Sequence, residues 1–339
     1  MDTKITKKRL ARILSYDWIK IIATAVAVIL VWMLIFTTTA TRITPAQQFT
    51  VFNYQSNNTL SDDFFTSYEN ALTRDKIFSY EIIEGNTNDL KTAGDDMAYT
   101  LLDTRISVEE GDVMFVPDIP DVTSAYTDEN GNTQYERSYM QTFFNRCYFN
   151  LYDLDPEKEN GYFYEMEEYL NIFYKNGYED EASLDKAKVE ELFRARITAN
   201  KDKRFKKDAQ IQKGIQDEIA RIQKYRNALI EFYGYLADGT VSLTTLSLKD
   251  ENGDVLKEGK YGINLCPDEN KTGALKKVVS YTTTESYEED GETKERTIVS
   301  AKNMQAMFFR FDGVETSFEY ESLLYINYIV RNALATTQA

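Results

Sequence analysis

"LLDTRISVEEGDVMFVPD", residues 101–118, changes period halfway along. Leu101, Leu102 and Ile106 recur at helical spacing, "EEGD" at 109–112 is a turn signal, and "VMFVP" is a short apolar run of the kind that forms a buried strand. A helix that hands its chain to a buried strand is the unit from which parallel sheets are built. Upstream residues repeat that unit. "QFTVFNYQ" (48–55) alternates Phe49, Val51 and Asn53 on one face as a strand, and "LSDDFFTSYENALTRD" (60–75) reads as a helix with Ser61 as N-cap and Phe64, Phe65, Tyr68, Ala71 and Leu72 inward. "IFSYEIIEGNT" (77–87) reads as a second strand, and "TAGDDMAYTLLDTRIS" (92–107) as a second helix, with Met97 also inward. Strand, helix, strand, helix, strand within about 70 residues predicts right-handed crossovers on a parallel sheet.

Before this unit comes "IIATAVAVILVWMLIF" (21–36), which with Trp18, Ile19 and "TTTA" makes a run without acidic residues long enough to cross a bilayer. Lys4, Lys7, Lys8, Arg9, Arg12 and Lys20 against Asp2 and Asp17 give residues 1–20 a charge of +4, and only Arg42 follows the run closely. The positive-inside rule then places a basic tail (1–18) in the cytoplasm, an anchor at 19–40, a short linker at 41–47 and a domain at 48–339 outside the cell. A cleaved signal peptide is the alternative, since "TTA" at 38–40 loosely resembles a small-residue cleavage site.

The chain carries −16 overall, so residues 21–339 stand at −20. Such a domain repels phosphate backbones, and nucleic acid is not an expected partner. Histidine is absent, which removes the usual general base of Ser and Cys hydrolases and the His-containing zinc motifs. Cys147 and Cys266 allow one disulfide at most, and their pairing requires Cα atoms within about 7 Å. No catalytic residue, cofactor or metal site is expected.

Beyond residue 121, "SAYTDENGNTQYERS" (124–138) carries Asn130-Gly131 as a hairpin or loop signal. Residues 138–237 read as mostly helical. "PEKENGYFYEMEEYLNIFYKN" (156–176) opens on Pro156, and the stretch at 209–237 repeats Ile211, Ile215, Ile219, Ile222, Leu229 and Phe232 along one face. After Gly239 a meander around "NGD", a second hairpin at 276–301, the strand "AMFFRFDG" (306–313) and a helix at 320–335 close the domain. "DENGD" (250–254) lacks the Gly and Glu that an EF-hand loop needs and reads as a hairpin turn. Adjacent carboxylates such as Glu109/Glu110, Glu167/Glu168 and Glu190/Glu191 read as solvated faces, because glycosidase carboxylates must face each other across a cleft. "KDKRFKKD" (201–208) is a basic island that reads either as a contact for anionic headgroups or wall polymers or as an exposed interhelical connection.

The succession "FTVFNYQ", "DDFFTSYENAL", "FSYEIIEG", "MAYTLLDTRIS" and "GDVMFVPD" resembles the first lobe of the extracellular solute-binding proteins of ABC transporters, in particular the family-1, carbohydrate-type group. The resemblance is specific over residues 48–121. It implies an α/β type II periplasmic-binding fold of two lobes, with the first at about 48–121 plus returning segments and a helical segment at about 138–237. It implies a ligand cleft beyond the carboxyl ends of the parallel strands. There Asn53, Tyr54 and Gln55 follow the first strand, Pro117 and Asp118 follow the third, and Tyr261 precedes Gly262. In that role Asn53 and Asp118 hydrogen-bond a polar solute, sugar first, while Tyr54 or Tyr261 stacks on it. The partner implied is an ABC permease or another membrane protein. Both tryptophans, Trp18 and Trp32, lie in or beside the apolar run, which departs from the usual sugar-stacking role of Trp. A solute-binding scaffold turned to protein interaction or a structural role at the cell surface is the alternative.

Overall fold

In the computed structural model the described residues are 7–39, 47–54, 67–90, 95–289, 292–311 and 320–337. Contacts divide the chain into Met1–Thr44 and Pro45–Ala339. The first unit contains α1 (Lys7–Thr39), whose stretch Trp18–Thr37 is 20 residues long, about 30 Å of helix, and long and apolar enough for a membrane span or a signal sequence.

In the second unit the turn at 109–112 has the geometry its residues ask for. The helix α2 (Asp95–Ser107) closes with Glu109 in the left-handed region at φ 57, and the Glu110 amide returns to the Arg105 carbonyl at 3.0 Å. Gly111, at φ 145, lies so close to the Phe52 ring that a Cβ there would stand 2.6 Å from it. The Asp112 carboxylate then accepts the Thr50 amide at 2.6 Å, tying the start of β3 (Val113–Pro117) to β1 (Gln48–Asn53).

β1 pairs in parallel with β3 and with β2 (Glu84–Asp89), as the crossover pattern predicts. β10 (Met304–Phe308) runs antiparallel beside β3, and the hairpin of β6 (Ser242–Lys249) and β7 (Val255–Asn264) completes a mixed sheet in the order β2-β1-β3-β10-β7-β6. Two separate hairpins stand outside it. β4 (Ala125–Thr127) and β5 (Thr133–Tyr135) flank Asn130-Gly131, and β8 (Tyr281–Glu289) pairs with β9 (Glu292–Ser300). Among the described residues the six-stranded sheet is the one sheet of more than two strands.

Period-two alternation sorts the core into two layers. Phe49 and Val51 of β1, Val113 and Phe115 of β3, and Ala306 and Phe308 of β10 face one cluster with α4 (Tyr162–Asn171), α6 (Asp208–Ala237) and α7 (Glu321–Thr337). Phe52, Tyr54, Met114, Val116 and Met307 face the other, with α2 and α3 (Tyr139–Cys147). The sheet is therefore covered on both faces, and the helix-rich stretch 138–237 contributes to both layers. α5 (Lys186–Ala199) adds Val189 to the first cluster.

Several expectations shift. Met97, expected inward on α2, is exposed. The strand expected at 77–87 forms only from Glu84, because the apolar part of that run is used otherwise. Phe78 packs on Phe49 at 4.6 Å, and the carbonyls of Lys76, Ile77 and Phe78 accept from the Lys224 ammonium at 2.9, 3.2 and 3.1 Å instead of from a strand. The helix expected to open at Pro156 starts at Tyr162, since Asp153 and Asp155 cap a turn through the amides of Asp155 and Glu157. The expected N-cap Ser61 and the inward Phe64 and Phe65 lie outside the described residues.

Candidate functional site

The carboxyl end of β1 is where a solute would be sought. Asn53 falls on the α6/α7 face, fully buried, and among the described residues neither its amide nitrogen nor its amide oxygen has a hydrogen-bond partner. Its backbone carbonyl accepts from Leu90 at 3.0 Å. Tyr54 turns to the opposite face, where its ring is fully buried between Tyr139 (5.1 Å) and Phe143 (4.9 Å) of α3. Tyr261 reaches the same layer through a bulge, for Thr244 pairs with Gly262 and Thr245 with Lys260, leaving Tyr261 without an opposite residue. Its ring meets Phe144 of α3 at 4.7 Å and the Lys257 ammonium at 5.3 Å, and burial with the nearby Asp153 charge pushes its hydroxyl up to about 12. Pro117 ends β3, and Asp118 beyond it is half-buried, its amide donating to the Asn303 carbonyl at 3.0 Å. Gln55 lies outside the described residues. Thus Tyr54 and Tyr261 come together under one helix, while Asn53 points through the opposite face of the sheet.

Comparison with known protein families, curated proteins and solved structures returns no match to this chain.

A second concentration of polar groups lies on α6. The segment leading to β2 crosses this helix and leaves a groove of about 380 Å³ between Leu72, Phe78, Ile82, Tyr80, Arg221 and Lys224. Two of its lining residues, Arg221 and Tyr80, belong to an ion-pair network behind it. Glu218 accepts from Arg221, from Arg196 at 3.1 Å and from the Tyr80 hydroxyl at 2.8 Å. Arg196 also meets Glu81 at 3.1 Å, and Arg204 bridges Glu81 (2.8 Å) and Asp202 (2.7 Å). Three guanidiniums face three carboxylates, so the cluster compensates its own charge. Burial works to raise Glu218, but the Arg221 and Arg196 charges overcome it and hold the carboxyl below its ordinary value. Beneath the groove, buried Glu321 accepts from the Tyr225 hydroxyl at 2.6 Å and the Ser79 amide at 3.1 Å, and burial raises its pKa. The network clamps residues 79–82 onto α5 and α6.

Sequence reasoning missed this network, although a signal exists. Glu218 and Arg221 sit at the three- and four-residue steps between Ile215, Ile222 and Tyr225, on the stripe that faces the core. Fully buried Asp121 was also missed. It accepts the Thr123 amide at 2.9 Å and the Thr142 hydroxyl at 2.5 Å, joining the β4–β5 hairpin to α3. No group of metal-ligating side chains forms among the described residues. Cys147 and Cys266 are free and buried in opposite layers of the sheet.

Proposed function

We propose that this chain is a membrane-anchored interaction scaffold at the cell surface, with a solute-binding-like α/β organisation whose ligand position is closed by its own helix. The observation that carries this reading is α3. Its Tyr139 and Phe143 cover Tyr54, and its Phe144 covers Tyr261, so both rings named as stacking platforms are spent on the core. The partner proposed is a permease or another membrane protein, the body is held outside by α1, and no chemistry is assigned. Hydrogen exchange tests the reading. If α3 is permanent core, its amides exchange only with global unfolding, together with β1 and β3. Exchange of 139–147 through a separate low-energy opening would make α3 a lid and count against the scaffold.

The second reading is the two-lobed, solute-capturing component of an ABC-type importer, carbohydrate first. The unpartnered amide of Asn53 favours it, because a buried donor and acceptor left unmade costs roughly 1–3 kcal/mol that a polar ligand reached from the strand end would recover.

A further inference from the structure

The tip of the α5–α6 hairpin separates its charges. Lys201, Lys203, Lys206, Lys207 and Lys213 are exposed, and no ion pair among the described residues engages them. The acids beside them turn inward. Arg204 takes Asp202 and Glu81, and its guanidinium lies 5.2 Å from the Phe205 ring. Only Asp208, at the start of α6, is an exposed carboxylate within this stretch. Residues 201–213 carry +4, and the chain total of −16 with +4 in residues 1–20 leaves −24 for everything else.

The lysines sit on a built loop. Phe205 packs edge-on to Phe193 at 5.1 Å, and both rings press on Gly214, where a Cβ would clash with them. The Lys206 and Lys207 amides both donate to Gln210 Oε1, at 3.1 and 2.9 Å, and the Asp202 amide donates to the Ile197 carbonyl at 3.0 Å. The array is held before any partner arrives.

Its place in the body indicates the partner. The Gln47 carbonyl, where the chain enters the sheet, accepts the Ile83 amide at 2.8 Å, and two residues earlier Glu81 holds Arg204. The basic loop is thus within on the order of 20 Å of the entry point. Ile83 itself is 52% exposed. The connection from Thr39 to Gln48 reaches at most about 30 Å. A soluble polyanion has access to every face of the body, whereas a bilayer holding α1 is limited by this reach.

We infer that the lysine loop at 201–213 docks on the phosphate groups of anionic phospholipid in the bilayer that α1 enters. The inference rests on the reading of α1 as an anchor. Because the rest of the body is acidic and repelled by the same surface, this contact orients it.

The test uses the full chain in nanodiscs of phosphatidylcholine, alone or with one third phosphatidylglycerol, and follows amine acylation of each lysine by mass spectrometry. With phosphatidylglycerol, Lys203, Lys206 and Lys207 should be acylated at least about 3-fold more slowly, with Lys249 and Lys302 unchanged and the difference removed by high salt. In the variant K203Q/K206Q/K207Q the protection of Lys201 and Lys213 should be lost. Equal rates in both lipids overturn the inference, as does protection given by inorganic polyphosphate added to neutral discs and not by phosphatidylglycerol. A chain that fails to enter the discs at all overturns the anchor reading and the inference with it.

Discussion

Asn53, fully buried, and Asp112, half-buried, are polar residues that bracket the parallel strands, and they differ in what holds them. Asp112 has the Thr50 amide, yet burial, against that hydrogen bond and aided by Glu321 and Glu110, pushes its carboxyl up to about 7. An unfolded Asp titrates near 3.9, so between about 4 and 7 the native state holds a proton that the unfolded chain has lost. This contribution to stability therefore falls as pH rises through that window and is fully unfavourable above it. The melting temperature of Asp112→Asn, which keeps an acceptor for Thr50, should vary less between pH 5 and 8 than that of the parent. Parallel profiles would contradict this account. Asn53 has no side-chain partner among the described residues. Asn53→Leu should leave the melting temperature unchanged or raise it by about 2–4 °C, because both unmade hydrogen bonds disappear. A loss of several degrees would mean that the amide is satisfied in solution.

At the scale of elements, α6 carries the most consequential polar packing. Removing one partner from a buried ion pair typically costs about 3–5 kcal/mol, since the other charge stays behind. Glu218→Ala should therefore lower the denaturant-derived stability by on the order of 3 kcal/mol and speed hydrogen exchange at residues 79–82. Unchanged exchange there would refute the clamp. Gly214→Ala gains helix propensity of roughly 1 kcal/mol, but the new methyl meets Phe193 and Phe205, and the net outcome should be a loss, measurable in the same titration. The same physics decides how much of the fold is legible in the sequence. β1, β3, α6 and α7 carry strong apolar periods and are legible. β2, "EGNTND", has no apolar signal and pairs through its backbone as an edge strand, so its register is not. Tyr54 and Tyr261 could be placed at strand ends, but what covers them depends on α3, nearly 90 residues after Tyr54 in the chain and well before Tyr261. The bulge that turns Tyr261 has no local sequence marker.

At the largest scale, the six-stranded mixed sheet of the second unit, covered by helices on both faces, explains how stacking candidates become core. Along one strand, alternate residues go to different layers, so Asn53 and Tyr54 are adjacent in sequence and separated by the sheet. The two cysteines are divided in the same way, and thiol titration of the unfolded, unreduced protein should find two reactive groups. A disulfide would require the layers to be rearranged. The scaffold reading is tested most directly by thermal unfolding of the full chain against mono- and oligosaccharides, amino acids and oligopeptides. A ligand at about 1,000 times its dissociation constant stabilises a native fold by roughly 4 kcal/mol. A closed strand end gives a flat response across the panel, whereas a shift of several degrees with one solute, lost in Asn53→Leu, would contradict the scaffold reading and establish the strand end as a binding site.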